Sequence, residues 1–323
     1  MINRRRFLTQ SGAFGAALVV SPGLRSVLPD SRWPIVLTPD RAVDETVITI
    51  LHTNDTHSQI DPLPSNDKTY PGKGGVARRA TLVKKVRKEN PNTLLIDAGD
   101  VCQGTPYFNF YKGEVEYRAM SAIGYDVGTL GNHEFDNGVD ALAAALKFAN
   151  FDLVSANYDV QGTALEGRIK PYVIRDVGGV RIGLFGLGIS PVALITSANF
   201  KGVTYSDPIE VSRQVVKTLR EKERCAMVVV MSHLGYYKNP KPEDVGDAQV
   251  AAKVDGIDFI ASGHTHTFMD EPVRVKQPSG SETLIFQVGK SGIYVGRVDF
   301  TFRAGKLTAA AGRLLDLRDQ SLS

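Results

Sequence analysis

Val127-Gly128-Thr129-Leu130 runs without a break into Gly131-Asn132-His133-Glu134-Phe135-Asp136. The first four residues read as a short buried strand. The next six carry an amide, an imidazole and two carboxylates at the point where that strand ends. A strand that stops in such side chains delivers ligands, because an open α/β sheet binds its ligands in the crevice beyond the carboxyl ends of its strands.

Four other strands end the same way. Val47 to His52 is an apolar, β-branched run that leads into Asn54-Asp55-Thr56-His57. Thr93 to Ile96 leads into Asp97-Ala98-Gly99-Asp100. Ala226 to Met231 leads into Ser232-His233, and Ile257 to Ala261 into Gly263-His264-Thr265-His266. All five clusters are expected to converge on one edge of a sheet.

Helical patterns alternate with these strands. The Gly72 to Gly75 loop opens a helix running through Lys88, with Val76, Ala80, Val83 and Val86 on one face. Asp140 to Asn150 is Ala-rich and helical, and Leu153 to Ala156 is another strand. Tyr172 to Val177 and Val180 to Leu187 flank Gly178-Gly179, a hairpin signal. Pro208 to Glu223 reads as a helix with Asp207 at its N-cap and Pro208 in its first turn. Thr283 to Leu317 reads as antiparallel β structure turning at Ala304-Gly305.

The six histidines are His52, His57, His133, His233, His264 and His266, and all fall in the strand-end segments. His52 sits near the end of a buried strand and is expected to be structural, hydrogen-bonded within the core. Asp, Asn and imidazole without thiolate suit Mn, Fe, Zn or Co. One ion takes three or four protein ligands. Asp55, His57, Asp100, Asn132, His233, His264 and His266 are too many for one ion and enough for two sharing a carboxylate. Two ions about 3.5–4 Å apart form a clamp for displacement at phosphorus.

The order Asp-x-His, Gly-Asp, Gly-Asn-His-Glu, His, Gly-His-x-His resembles the calcineurin-like metallophosphoesterases. The blocks Leu51 to His57, Gly99-Asp100-x-x-Gln103-Gly104-Thr105-Pro106 and Gly131 to Asp136 are similar to the catalytic domain of bacterial 5′-nucleotidases. The resemblance covers about residues 46 to 317. It implies a four-layer α/β/β/α sandwich forming a single catalytic domain. It implies that Asp55, His57 and His266 hold one divalent ion, that Asn132, His233 and His264 hold the other, and that Asp100 bridges. His133, oriented by Asp136, would face the substrate as a catalytic residue without binding metal. The implied reaction is hydrolysis of a phosphate monoester such as a nucleotide by a metal-bridging hydroxide.

This chain departs from the 5′-nucleotidase pattern in two places. Those proteins often have Gln or Asn where His266 stands. They also continue into a C-terminal substrate-binding domain, whereas after Leu317 only a polar tail (318–323) follows here. A separate chain supplying that domain would dock near Tyr107, Phe108, Phe110 and Tyr111. The same site in related proteins cleaves phosphodiesters, nucleotide sugars or sulfate-thiol esters, and a non-catalytic metal-binding protein is the reading from another class. Retention of both His133 and Asp136 argues against the last.

The ends of the chain carry other information. Asn3-Arg4-Arg5-Arg6-Phe7-Leu8 and the apolar Gly12 to Val20 read as a twin-arginine signal peptide within residues 1–30. Export to the periplasm is the expected consequence. Residues 31–45 read as a linker. Of 323 residues, 42% are apolar and 23% charged, which excludes a disordered chain. Removing the first 30 residues leaves 34 basic and 34 acidic residues, so the body has no field for nucleic acid. No apolar run reaches membrane-spanning length, and no transmembrane anchor is expected in the mature chain. Cys102 and Cys225 fall at opposite ends of their strands, too far apart to pair.

Overall fold

The computed structural model describes residues 45–237 and 245–317. The twin-arginine segment, the linker up to residue 44 and the polar tail lie outside the described residues. β1 (Glu45–Thr53), α1 (Val76–Glu89) and β2 (Thr93–Asp97) come first. α2 (Pro106–Tyr111) and α3 (Glu114–Ile123), for which no periodicity had been read, precede β3 (Val127–Thr129). α4 (Val139–Ala145) leads to β4 (Asp152–Val154), β5 (Tyr158–Asp159) and β6 (Ile169–Lys170). The hairpin of β7 (Tyr172–Val177) and β8 (Val180–Leu187) follows, then β9 (Thr204–Tyr205) and α5 (Pro208–Lys217). Next come β10 (Met227–Ser232), α6 (Asp247–Lys253) and β11 (Phe259–Ser262). β12 (Val273–Lys276), β13 (Glu282–Phe286), β14 (Tyr294–Arg303) and β15 (Lys306–Asp316) close the fold.

The strands form two main sheets. One has the order β15-β14-β1-β2-β3-β4-β6, the other β12-β13-β11-β10-β8-β7. Inner neighbours run parallel, and antiparallel strands lie at the margins. The period-two alternation of each strand separates three cores. From β1 and β2, Ile48, Ile50, Leu94 and Ile96 face the other sheet, meeting Leu184, Val229, Phe259 and Phe286. Leu51 and Leu95 face the opposite way, onto Leu82, Val83 and Val86 of α1 and Tyr117 of α3. On the second sheet Val228, Val230 and Ile260 turn outward onto Val215, Val216 and Val250 of α5 and α6. Three apolar cores separate four layers, helices–sheet–sheet–helices, which matches the expected α/β/β/α sandwich.

Several local expectations hold for identifiable reasons. The β7–β8 hairpin turns at Gly178 and Gly179, whose φ values of +55° and +78° suit the turn that matches strand twist. Asp207 caps α5 by accepting hydrogen bonds from the amides of Ile209 and Glu210, both at 2.9 Å. Three details differ. The helix expected to reach Glu223 is α-helical only to Lys217 and widens into a π turn over Thr218–Lys222, where Leu219 packs over Gly183. The helix expected to reach Asn150 tightens into a 3₁₀ turn after Ala145. The C-terminal β region is not wholly antiparallel, because β13 pairs in parallel with β11 and so belongs to the second sheet.

Cys102 is buried in the helix-side core of the first sheet and Cys225 in that of the second; both are free. No described helix is long and apolar enough to cross a membrane.

Candidate metal centre

The five ligand-bearing loops do not share one sheet edge, as the sequence reading had it. Three follow β1, β2 and β3 of the first sheet, and two follow β10 and β11 of the second. The carboxyl ends of both sheets meet, and the site straddles the seam.

Backbone pairing beyond the strands sets the loops. Past the end of β1, the amides of Asp55, His57 and Ser58 donate to the carbonyls of Gly99, Asp100 and Val101 at 2.9, 3.0 and 2.8 Å. The two loops stay zipped together although their residues have left regular β geometry. Asp55, His57, Asp100, His264 and His266 have φ between +47° and +72°, a region that residues with a Cβ seldom occupy. Each such residue costs of order 1–3 kcal/mol, which the surrounding structure must offset. Such strain clusters at functional sites, and here it falls on candidate ligands.

The side chains form two adjoining groups. Asp55, His57 and His266 make one, and Asp100, His233 and His264 the other, each with its ligand atoms within 4.8 Å of one another. In the first, His57 Nε2 lies 2.9 Å from His266 Nε2, and Asp55 Oδ1 lies 3.3 Å from His266 Nε2. In the second, Asp100 Oδ2 lies 3.0 Å from His233 Nε2, and Asn132 Oδ1 lies 3.1 Å from His264 Nδ1. Asp55 Oδ1 is also 3.9 Å from His233 Nε2, so the groups touch. His133 lies beside them, its ring centroid 5.4 Å from that of His57 and its amide donating to Asp100 Oδ1 at 2.9 Å. Its Nδ1 is 2.9 Å from Asp136 Oδ2. All nine residues read from the sequence as site residues are therefore gathered here.

The donor set fits divalent cations. His233 is wholly buried, its Nδ1 held 2.8 Å from the Ala98 carbonyl and its Nε2 turned toward Asp100 Oδ2 at 3.0 Å. A carbonyl at Nδ1 leaves Nε2 as the coordinating nitrogen. Burial pulls the His233 pKa down, but the Asp100 and Asp55 carboxylates outweigh it and raise the value to about 10. The negative charge that attracts a proton there attracts a metal cation. Burial lowers His264 to about 4 and also lowers His57, which keeps both imidazoles neutral for ligation.

A second ring of contacts holds the ligands. The amide of His264 donates to Asp55 Oδ1 and Oδ2 at 3.1 and 3.0 Å, and Asn54 Nδ2 to Asp55 Oδ2 at 2.6 Å. Glu134 accepts from the amides of Asp100, Val101, Cys102 and Gly131, bracing the loop after β2 against the loop after β3. Gly131 itself admits no side chain: a Cβ there would sit 2.2 Å from Asp100 Oδ1 and 2.7 Å from His233 Nε2. Asp97, pushed up to about 7 by burial, accepts from Thr53 Oγ1 and the Gly99 amide.

A model of the calcineurin-like phosphoesterase family matches residues 48–268. The chain belongs to that family. It is 30% identical over 335 residues to a 5′-nucleotidase of Vibrio cholerae, covering 95% of this chain and 57% of that protein. It is 33% identical over 289 residues to the trifunctional nucleotide phosphoesterase YfkN of Bacillus subtilis, covering 79% of this chain and 18% of that one. Among solved structures, a 5′-nucleotidase precursor from Thermus thermophilus superposes with a TM-score of 0.76 at 36% identity, covering 84% of this chain and 54% of that one. The phosphoesterase described here thus spans 18% to 57% of the lengths of these relatives.

Two expectations around the phosphoesterase site need correction or completion. His52 is structural, but neither ring nitrogen has a hydrogen-bond partner among the described residues, and the ring packs edge-on to Phe259 and Phe286 over Gly296. Burial lowers its pKa to about 3, so it packs as a neutral ring. Asp247 and Gln287, both wholly buried behind the site, were not singled out from the sequence. Nothing in their local sequence marks them, since their partners lie on other strands.

Proposed function

We propose that this protein is an exported phosphomonoesterase of the 5′-nucleotidase type with a dinuclear metal centre. The observation that carries the reading is the pair of adjoining ligand groups with the hydrogen-bonded His133–Asp136 pair beside them. Similarity to two proteins named as 5′-nucleotidases, and to one named as a nucleotide phosphoesterase, supports the substrate class.

Asp55, His57 and His266 would hold one divalent ion, and Asn132, His233 and His264 the other, with Asp100 between them. Such ions supply a Lewis acid for the phosphoryl oxygens and lower the pKa of water. The protein residues do the rest. His133 faces solvent, and its hydrogen bond to Asp136 raises its pKa against the opposing effect of burial. Asp136 accepts from Nδ1–H, which leaves Nε2 to carry the transferable proton, and supports the cation. His133 would then stabilise charge on the phosphoryl group and give its proton to the leaving oxygen. Asn199 holds the Asp136 carbonyl at 2.8 Å, which keeps the pair in place.

The surface near His57 supports a role for a covering element. A cavity of about 560 Å³ is lined by Gln59, Ile60, Pro62, Pro106, Tyr107 and Phe110. Phe110 is 80% exposed and Tyr111 54%. Phe108, grouped with them in the sequence reading, is instead buried in the helix-side core. A substrate-binding domain would sit on this face.

The deciding experiment measures phosphate release from AMP and from p-nitrophenyl phosphate by the Mn²⁺-loaded chain, with chelator controls. Chelator-sensitive release from AMP supports the reading. Release from p-nitrophenyl phosphate alone points to a working centre whose nucleoside pocket lies outside the described residues. No release from either, with two ions bound, overturns it.

A further inference from the structure

Behind the metal-ligating loops, one buried carboxylate ties two strands together. Asp247 opens α6 and is wholly buried. Its Oδ1 accepts from Ser232 Oγ at 2.5 Å and its Oδ2 from Ser262 Oγ. Ser232 and Ser262 are the last residues of β10 and β11 and face each other in register. The next residues along each strand are His233 and Gly263-His264. The Asp247 amide adds a third tie, donating to the Gly235 carbonyl at 2.9 Å, on the far side of His233.

Gln287 completes the arrangement. Its Nε2 donates to Ser262 Oγ at 2.6 Å and to the Gly263 carbonyl at 2.7 Å. Its Oε1 accepts from Thr265 Oγ1 at 3.0 Å and from the Thr267 amide. The segment carrying His264 and His266 is therefore held on both sides of each imidazole. A buried carboxylate with two hydroxyl donors is costly to disturb, because loss of one partner leaves a polar group unsatisfied in a low-dielectric core.

We propose that Asp247, with Gln287, is a positioning residue for the metal centre, holding the second sheet's histidines in register with the first sheet's ligands. The proposal rests on the reading of Asp55, His57, Asp100, Asn132, His233, His264 and His266 as metal ligands. His233 and His264 belong to one ligand group and His266 to the other. Slack at Asp247 therefore weakens both ions together. A purely structural role would lower thermal stability and leave metal affinity alone.

The test is Mn²⁺ titration of the full chain by calorimetry and electron paramagnetic resonance. Wild type, Asp247→Asn, the pair Ser232→Ala with Ser262→Ala, and Ser212→Ala are compared. Ser212 is an equally buried hydroxyl on α5, bonded to the Pro208 carbonyl of its own helix rather than to a residue leading into the ligands. Outer contacts to metal ligands typically matter by about 10–100-fold in affinity. The expected result is a loss of that size for both ions in Asp247→Asn, a similar loss in the serine pair, and wild-type affinity in Ser212→Ala. If Asp247→Asn does not fold, the serine pair, which leaves the carboxylate in place, decides. Unchanged Mn²⁺ affinity in whichever folded variant is measured overturns the proposal. Wild-type protein that binds no Mn²⁺ overturns the ligand reading, and the proposal with it.

Discussion

His133 differs from the candidate ligands in its partner. Its side chain is 32% exposed, and its Nδ1 is committed to Asp136 rather than to the ligand groups. Replacement by alanine should lower turnover by about 10²–10⁴-fold, the usual worth of a general acid or base. Mn²⁺ stoichiometry should stay at the wild-type value in the same preparation. A variant that loses metal and turnover together would make His133 a ligand instead. The pH profile gives a second handle. A general acid must be protonated, so turnover falls as pH rises through the His133 pKa. Asp136 raises that pKa. Asp136→Asn should therefore move the alkaline limb of kcat to lower pH, and an unmoved limb would assign it to another group. At this scale much was legible: each block names its residues by type and spacing. His52 is structural as its strand position implies, but the missing hydrogen bond was not legible, because packing against Phe259, Phe286 and Gly296 is a property of the two sheets together.

At the scale of elements, the ends of strands and helices decide most of the local structure. The Asp207-Pro208 pair is readable because a cap needs only a carboxylate and two amides within one turn. Asp207→Ala should destabilise the protein by about 1 kcal/mol, measured by denaturant melting, with turnover per folded molecule unchanged. A fall in turnover would mean that α5 communicates with the site. Other elements were harder to read. α2 and α3 are short and bounded by Thr105, Gly113 and Gly124, so their existence depends on caps more than on periodicity. β13 looked like part of an antiparallel terminal region, yet it lies beside β11. Strand sequence gives burial and alternation, but partner choice follows from which apolar faces meet.

At the scale of the whole molecule, the candidate metal centre lies where the two sheets meet, so bound ions would clasp them together. Its candidate ligands follow β1, β2 and β3 on one side and β10 and β11 on the other. An ion bound only by the folded chain stabilises it by about 2.7 kcal/mol at a hundred times its Kd. Saturating Mn²⁺ should therefore raise Tm by about 5–10 °C for a domain of this size, and chelator should reverse the rise. A Tm indifferent to both would mean that the seam is held without the ions, by the apolar contacts between the sheets.

The amino-acid sequence by itself determined the alternation of strands and helices, the positions of the candidate ligands along the chain and the family to which the chain belongs. These are local matters: residue type, spacing and the point at which an apolar run stops. Only the tertiary structure decided that the ligands come from two sheets, that five of them sit at positive φ, and that Asp247 and Gln287 stand behind them. The reason is that these features are relations between segments distant along the chain. Asp247 reaches Ser262 and Gln287 reaches Gly263 through strand pairings whose register no single segment encodes.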